Sequence, residues 1–411
     1  LEGDLNIRRG YLERYLDIYK DDPYSLKKIK NIANRITDLT FLSLDTVPRL
    51  RFMNDRAQIT LRLQEDKASR FDFIIGVLPT SSGGQTQFNI TGEFTAEMYN
   101  RLGQGEYIYV DFQRIEPIQE LEVRFTYPYL LNSPFGIETQ GKIFFNEEFR
   151  ETVFNVGLAY QFDGNSALKA TWNNKSSRLI ELDSVAIISR GRLPNNLDIT
   201  YNGGGLSYSN RNLDYRFNPT KGWYASLGGT IGIKQLIRNN TIEGYSRDGL
   251  DFVAAYDSLS MTTLQTEATF DGGLYMPVFG AGTVKIGMRG ALLYNQEQLY
   301  SNEFYRIGGN KLLRGFDELS ILTDAYIVST AEFRLLLDRN SYLSFPFVDY
   351  GITKLRIDEA SVWDTTFSFG MGINFATPAG IFNVAFAAGR RLNNPIDLGN
   401  TKVHFGYVSL F

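Results

Sequence analysis

The feature that most constrains this chain is a long alternation. From Arg70 to the end, apolar and polar residues alternate at a period of two in segment after segment, each followed by a turn. Leu121, Val123, Phe125 and Tyr127 alternate with Glu122, Arg124 and Thr126. Phe154, Val156, Leu158, Tyr160 and Phe162 alternate with Asn155, Gly157, Ala159 and Gln161. Val284, Ile286 and Met288 alternate with Lys285, Gly287 and Arg289; Phe367, Phe369, Met371, Ile373 and Phe375 with Ser368, Gly370, Gly372 and Asn374. In a strand this period sends the two sets to opposite faces. One face is apolar and aromatic; the other carries charges, amides and Gly.

A soluble sandwich alternates too, but three features favour a cylinder in a membrane. Segments of about 9–11 residues suit a tilted membrane-crossing strand. The polar faces hold Arg, Glu and Asn, as a wet lumen does. The connections are uneven: Asp163-Gly164-Asn165-Ser166 is short, Ile233 to Ser260 long. Roughly 340 residues at about 21 per strand and connection give about sixteen strands. Closure removes the exposed edges of so aromatic a sheet. The final segment, Val403 to Phe411, is an amphipathic strand ending on an aromatic.

Composition narrows the function classes. The 411 residues include 30 Phe, 24 Tyr and 38 Gly, a mix suited to strands, interface aromatics and tight turns. The chain holds no apolar run long enough for a membrane-spanning helix, so any span is β. A net charge of −4 gives no reason to expect nucleic acid. With no Cys, this chain has no disulfide, thiol nucleophile or lipid-anchored cysteine. The one His, His404, allows neither a Ser-His-Asp triad nor a multi-His zinc site. Gly203-Gly204-Gly205 and Gly228-Gly229 lack the Gly-Lys-Ser/Thr of a phosphate loop, and their β setting suggests strand crossings or bulges. No catalytic residue, cofactor or metal is expected, and the chain reads as a non-enzyme. Leu1-Glu2-Gly3-Asp4 does not start a signal peptide, so a processed or trimmed product with domains missing upstream is expected.

Residues 1–69 read as a small α+β domain. Leu12, Leu16 and Tyr19 suggest a short helix that Asp21-Asp22-Pro23-Tyr24 breaks. Ser25 stands as an N-cap before a stripe of Leu26, Ile29, Ile32, Ile36 and Leu39. Two strands follow, Phe41 to Phe52 and Ala57 to Glu65, around an Asn54-Asp55 turn. This order resembles a POTRA domain that is incomplete at its first strand, a periplasmic module offering a sheet edge to extended clients.

Several segments of residues 70–411 resemble the BamA/TamA superfamily of outer-membrane β-barrels. Asn218-Pro219-Thr220-Lys221-Gly222-Trp223 is similar to its Pro-Thr-Lys-Gly turn, and Leu313-Arg314-Gly315-Phe316 to its sixth-loop Arg-Gly-aromatic motif. Ala331-Glu332-Phe333-Arg334 is similar to its Glu-bearing strand. Phe347-Val348-Asp349-Tyr350-Gly351 is similar to its Phe-Val-Asp-x-Gly strand. Thr377-Pro378-Ala379-Gly380 is similar to its last-hairpin turn. Each tetrapeptide is ordinary turn or strand chemistry; their order and spacing carry the resemblance.

The resemblance implies a transmembrane antiparallel β-barrel of about sixteen strands. It implies a loop folded into the lumen, where Arg314 pairs with Glu332 and Asp349, Gly315 turns the backbone and Phe316 packs beside it. It also implies a seam between the first strand, near Phe71 to Val77, and the last, with Gly406 weakening that edge and Phe411 as the terminal recognition residue. The implied role is assembly or translocation of unfolded outer-membrane client proteins, with outer-membrane lipid and accessory subunits as partners. A two-partner-type secretion pore and a barrel anchoring an upstream enzyme stand as alternatives.

Overall fold

A computed structural model describes residues 5–410 other than 54–55, 83–84, 116, 163–164, 216–217, 248, 311, 339–340, 358–359, 378–379, 393 and 397. For 38, 72–82, 85–91, 115, 132, 357, 360, 376, 380–381, 400 and 405–410 only the backbone is described. Asn54-Asp55, Asp163-Gly164, Arg339-Asn340, Pro378-Ala379 and Phe411 therefore lie outside the described residues.

Sixteen long strands follow one another around a single antiparallel ring. They are β1 Arg70–Ser82, β2 Gln85–Tyr99, β3 Tyr107–Ile115, β4 Ile118–Tyr127, β5 Phe135–Phe145 and β6 Phe149–Gln161. Next come β7 Ser166–Leu179, β8 Asp198–Leu213, β9 Gly222–Ile237, β10 Thr262–Pro277 and β11 Gly282–Asn295. The rest are β12 Ala325–Leu336, β13 Tyr342–Ile357, β14 Ala360–Thr377, β15 Gly380–Arg391 and β16 Lys402–Leu410. Each pairs with its neighbours in sequence, and β16 returns to β1.

The alternation settles which face is which. Phe154 and Leu158 are each 48% exposed, Leu227 56% and Trp363 63%, so the apolar sets cover the outside of the ring. The polar sets line the interior as cross-strand ion pairs: Lys142–Glu120 at 2.8 Å, and Lys169–Glu138 and Lys175–Glu151 at 2.7 Å. A soluble sandwich would bury the apolar set instead. Among the described residues no helix is long and apolar enough to cross a membrane.

Gly203 to Gly205 correct one expectation. They sit in unbroken register opposite Gly232, Ile231 and Thr230, and Gly228 and Gly229 face Ser207 and Leu206, with no bulge or crossing. The Tyr201 ring covers Gly203 and Gly232, so these positions are bare to make room for an aromatic.

The front segment holds helices α1 Arg9–Leu16 and α2 Leu26–Asp38. Tyr19 falls beyond α1. Ser25 caps α2, its Oγ accepting from the Lys28 N–H at 3.4 Å. The two expected strands are each broken in two: Leu42–Leu44 pairs with Leu63–Glu65, and Arg49–Met53 with Arg56–Thr60. Its apolar core, built on Leu12, Leu16, Ile32, Ile36, Leu42 and Leu63, is continuous with Tyr99 and Tyr129 at the barrel rim. The Arg8 N–H donates to the Gly103 carbonyl at 2.7 Å, and Tyr11 meets Tyr129 edge-on at 5.6 Å. The helical end thus docks on the turns after β2 and β4.

At the opposite rim the connections 180–197, 238–261 and 296–324 are long. They contain α3 Ser184–Arg190, α4 Asn240–Glu243 and α5 Phe252–Asp257, each started by a side-chain cap from Asp183, Asn239 or Asp251. Ile187, Leu197, Ile242, Phe252, Tyr256 and Tyr300 close a second apolar core between these loops.

Candidate functional site

Connection 296–324 enters the barrel rather than leaving it. Its start is pinned to the wall. Glu303 accepts from Lys234 of β9 at 2.7 Å, the two side chains only 3% and 2% exposed. Lys234 also donates to the Gln298 carbonyl at 2.9 Å, and Asn302 donates to the Ser177 hydroxyl and the Leu197 carbonyl. A hairpin follows, Tyr305–Ile307 against Ile321–Thr323. The Tyr305 hydroxyl donates to Glu267 of β10 at 2.6 Å. The Arg306 guanidinium lies 5.0 Å from the Phe144 ring centre and 5.2 Å from that of Phe149. Leu313 is fully buried with Ile307, Ile321 and Val328, which aims the next residue at the wall.

That next residue is Arg314. Its Nε and Nη2 donate to the two oxygens of Asp349 at 2.8 and 2.7 Å, and its Nη1 donates to Glu332 at 3.2 Å. Its backbone N–H also donates to Asp349, at 3.1 Å, so main chain and side chain grip one carboxylate. The guanidinium sits over the Phe347 ring, 3.5 Å from its centre. The planar fork suits this bidentate geometry, and a lysine could not reproduce it. Burial opposes the arginine's charge, but the Asp349 and Glu332 carboxylates outweigh burial and hold its pKa above the ordinary value.

The wall positions follow from strand arithmetic. Phe347 and Asp349 are two apart on β13, and Thr330, Glu332 and Arg334 are two apart on β12, so all five face inward. An irregularity in register between Glu332 and Arg334, opposite Ser344 and Phe347, re-aims this part of the wall. The remaining bonds are filled from the same face: Thr330 Oγ1 donates to Asp349 at 2.8 Å and Arg334 Nε to Glu332 at 2.8 Å. Arg334 in turn lies 4.5 Å from the Tyr342 ring centre. Asp349 is 0% and Glu332 4% exposed, and each carboxylate accepts from two side chains, Arg314 and Thr330 for Asp349, Arg314 and Arg334 for Glu332.

The structure brings Arg314, Glu332 and Asp349 together. Gly315 takes a φ of +86° and approaches β14 and β15 closely, a place for glycine on both counts. Phe316 packs against Gly389 of β15. Sequence reasoning passed over Arg334, although it stands two residues beyond Glu332 in a quoted segment and a period of two puts both on one face. It also passed over Thr330, whose place opposite Asp349 is set by register. Lys234 and Glu303 carry no local signal, being 69 residues apart.

The seam residues sit elsewhere. Among the described residues, β16 and β1 pair through Val408, Ser409 and Leu410 with Asp72, Phe71 and Arg70 alone. By contrast β8 and β9 pair from Asp198 to Leu213 without a break. Phe71 stands opposite Ser409 in this short ladder; Gly406 does not, facing Asn383 on β15 instead. The Asn218 to Gly222 turn is organised by Asp214, which accepts from the Thr220 and Lys221 N–H groups at 2.9 and 3.0 Å.

Comparison with known proteins agrees with the barrel fold. Over 98% of its length the chain is similar to BamA from Haemophilus ducreyi lacking POTRA domains 1–3, at 14% identity, 82% coverage of that chain and a TM-score of 0.55. It is similar over its whole length to CdiB from Acinetobacter baumannii, at 14% identity, 72% coverage of that chain and a TM-score of 0.61. CdiB from Escherichia coli gives 13% identity, 99% and 74% coverage, and a TM-score of 0.60. No curated protein sequence matches. The family model described as the Omp85 superfamily domain matches residues 100–408, which include Arg314, Glu332, Asp349 and Gly406, and the chain therefore belongs to the Omp85 superfamily.

Proposed function

We propose that this chain is an outer-membrane barrel that inserts unfolded client proteins into the membrane through its seam, with residues 1–69 as a POTRA-like domain on the periplasmic side. The observation that carries the reading is the three-pair ladder between β16 and β1. Every other junction of the ring is longer, so the least hydrogen bonding is broken by parting this one. A parted seam offers unpaired backbone to a client strand, which adds by edge pairing. Burial of client apolar surface in lipid then drives the step without a nucleotide or cofactor, and no catalytic residue is required. The exposed apolar outer face supports lodging in the outer membrane among lipid. Arg314, held by Asp349 and Glu332, keeps the inward loop fixed while the seam moves. Accessory subunits at the periplasmic face are in keeping with the family-level role in acting on client proteins.

A second reading, a two-partner-type secretion pore, is favoured by the interior. Cavities of about 330 and 170 Å³ lie along β5 to β10, with Glu138, Lys169, Ser207, Thr171 and Thr269 among their lining residues, away from the arginine. Depletion in cells followed by a survey of outer-membrane proteins separates the two. Broad loss of barrels supports insertion, loss of one exported protein supports the pore, and an unchanged outer membrane sinks both.

A further inference from the structure

Residues 314 to 317 are consecutive in the chain, yet they touch five consecutive strands. Arg314 bonds Glu332 on β12 and Asp349 on β13. Gly315 lies against β14 and β15: a methyl group there would sit 3.1 Å from the Ser368 Cβ and 3.0 Å from the Gly389 nitrogen. Phe316 covers Gly389, where a Cβ would come within 2.9 Å of its ring. Asp317 pairs with Lys402 on β16 at 2.7 Å. The segment therefore runs as a strap along the inner wall, from the buried arginine to the seam strand.

Lys402 stands where β16 has least support. Its register partner is Ala387 on β15, while the ladder to β1 begins only at Val408. The strap thus meets the lumen side of β16 along the stretch that lacks a neighbour from β1. A bare glycine at 389 is what lets it cross β15 so closely.

We infer that the strap sets the position of the seam strand, with Gly389 and Lys402 as positioning residues that transmit the fixed place of Arg314 to β16. This deepens the insertion reading and rests on it for its purpose, though the mechanical coupling is testable by itself. The native chain has no Cys, so Phe71→Cys with Ser409→Cys, which face each other across the seam, gives one reporter disulfide. Its rate of formation under a mild oxidant is followed in the purified full-length barrel in lipid vesicles. Band shift on heating checks that each variant is folded.

Lys402→Met is expected to slow disulfide formation about two- to fivefold, the range open to a single solvated ion pair. The exchanged pair Asp317→Lys with Lys402→Asp should restore the rate, which a merely structural role of Lys402 would not predict. Gly389→Val displaces Phe316 and should slow it about tenfold, as steric conflict with a ring outweighs loss of an exposed pair. Unchanged rates in folded Lys402→Met and Gly389→Val barrels would overturn the coupling. If the rates shift while client insertion is indifferent to a locked seam, the coupling stands and the insertion reading fails.

Discussion

At Arg314 the inward loop and the barrel wall together hold two carboxylates and two guanidiniums largely out of water, joined by three ion pairs. Between β16 and β1, by contrast, the described residues form a ladder of three pairs. The two regions lie within one sheet and are built to opposite ends. A buried charge network tolerates no partial opening, because any displaced partner leaves a charge uncompensated in a poor solvent. A short ladder of backbone bonds opens at small cost, since each net bond contributes only about 1 kcal/mol. Rigidity thus lies on β12 and β13, and the shortest ladder lies between the first and last barrel strands. Arg314 and the seam are then two halves of one arrangement, joined by the strap.

The comparison breaks most sharply if the seam is fixed. Oxidising the Phe71→Cys, Ser409→Cys pair should abolish client insertion into vesicles, and a reductant should restore it; full activity in the oxidised barrel would remove the seam from the mechanism. Next in size is Arg314→Ala, which strands Asp349 and Glu332 and should cost about 3–5 kcal/mol of stability. We expect insertion activity to fall further than the yield of folded barrel, and Arg314→Lys to recover only part of it; wild-type activity in Arg314→Ala would refute the role of the loop. Third, Lys234→Met should cost roughly 3 kcal/mol by leaving Glu303 buried and unpaired, whereas Lys234→Met with Glu303→Leu should be close to neutral. Thermal melting in lipid measures both, and insertion activity should change less than in Arg314→Ala because this pin lies far from the seam. The smallest effect belongs to the front domain. Ser25→Ala removes the α2 cap at a cost of about 1 kcal/mol. It should raise amide exchange in 26–38 without moving the barrel's melting point, and a shift of that melting point would mean that domain and barrel unfold together.

Much of this was legible in advance because strands advertise their faces. A period of two put Phe154 and Leu158 on the apolar face and Glu122, Arg124 and Asn155 on the polar one. Local signals also sufficed for the Ser25 cap. They failed where the structure joins distant segments. The capped helices over Ser184–Arg190 and Phe252–Asp257 are one or two turns long, too short to impose a periodicity. The glycine runs at 203–205 and 228–229 suggested irregularity, yet they lie in regular strands; the Tyr201 ring covers Gly203 on its own strand and Gly232 across it, the second brought there only by register. The pairing of Arg314 with Glu332 and Asp349 came from likeness to a family; the support from Thr330, Arg334 and Phe347 comes from the fold.

What the sequence determined by itself is the ring: alternating segments of suitable length, each with a turn, can satisfy every backbone group only by pairing side by side and closing. What the tertiary structure decided is where that ring is strong and where it is weak. Strand register, the burial of Lys234 with Glu303, and the run of residues 314–317 to Lys402 all depend on contacts between residues tens of positions apart. Local residue preferences act over a few positions, so they cannot specify such pairs; only closure of the barrel brings them within bonding distance.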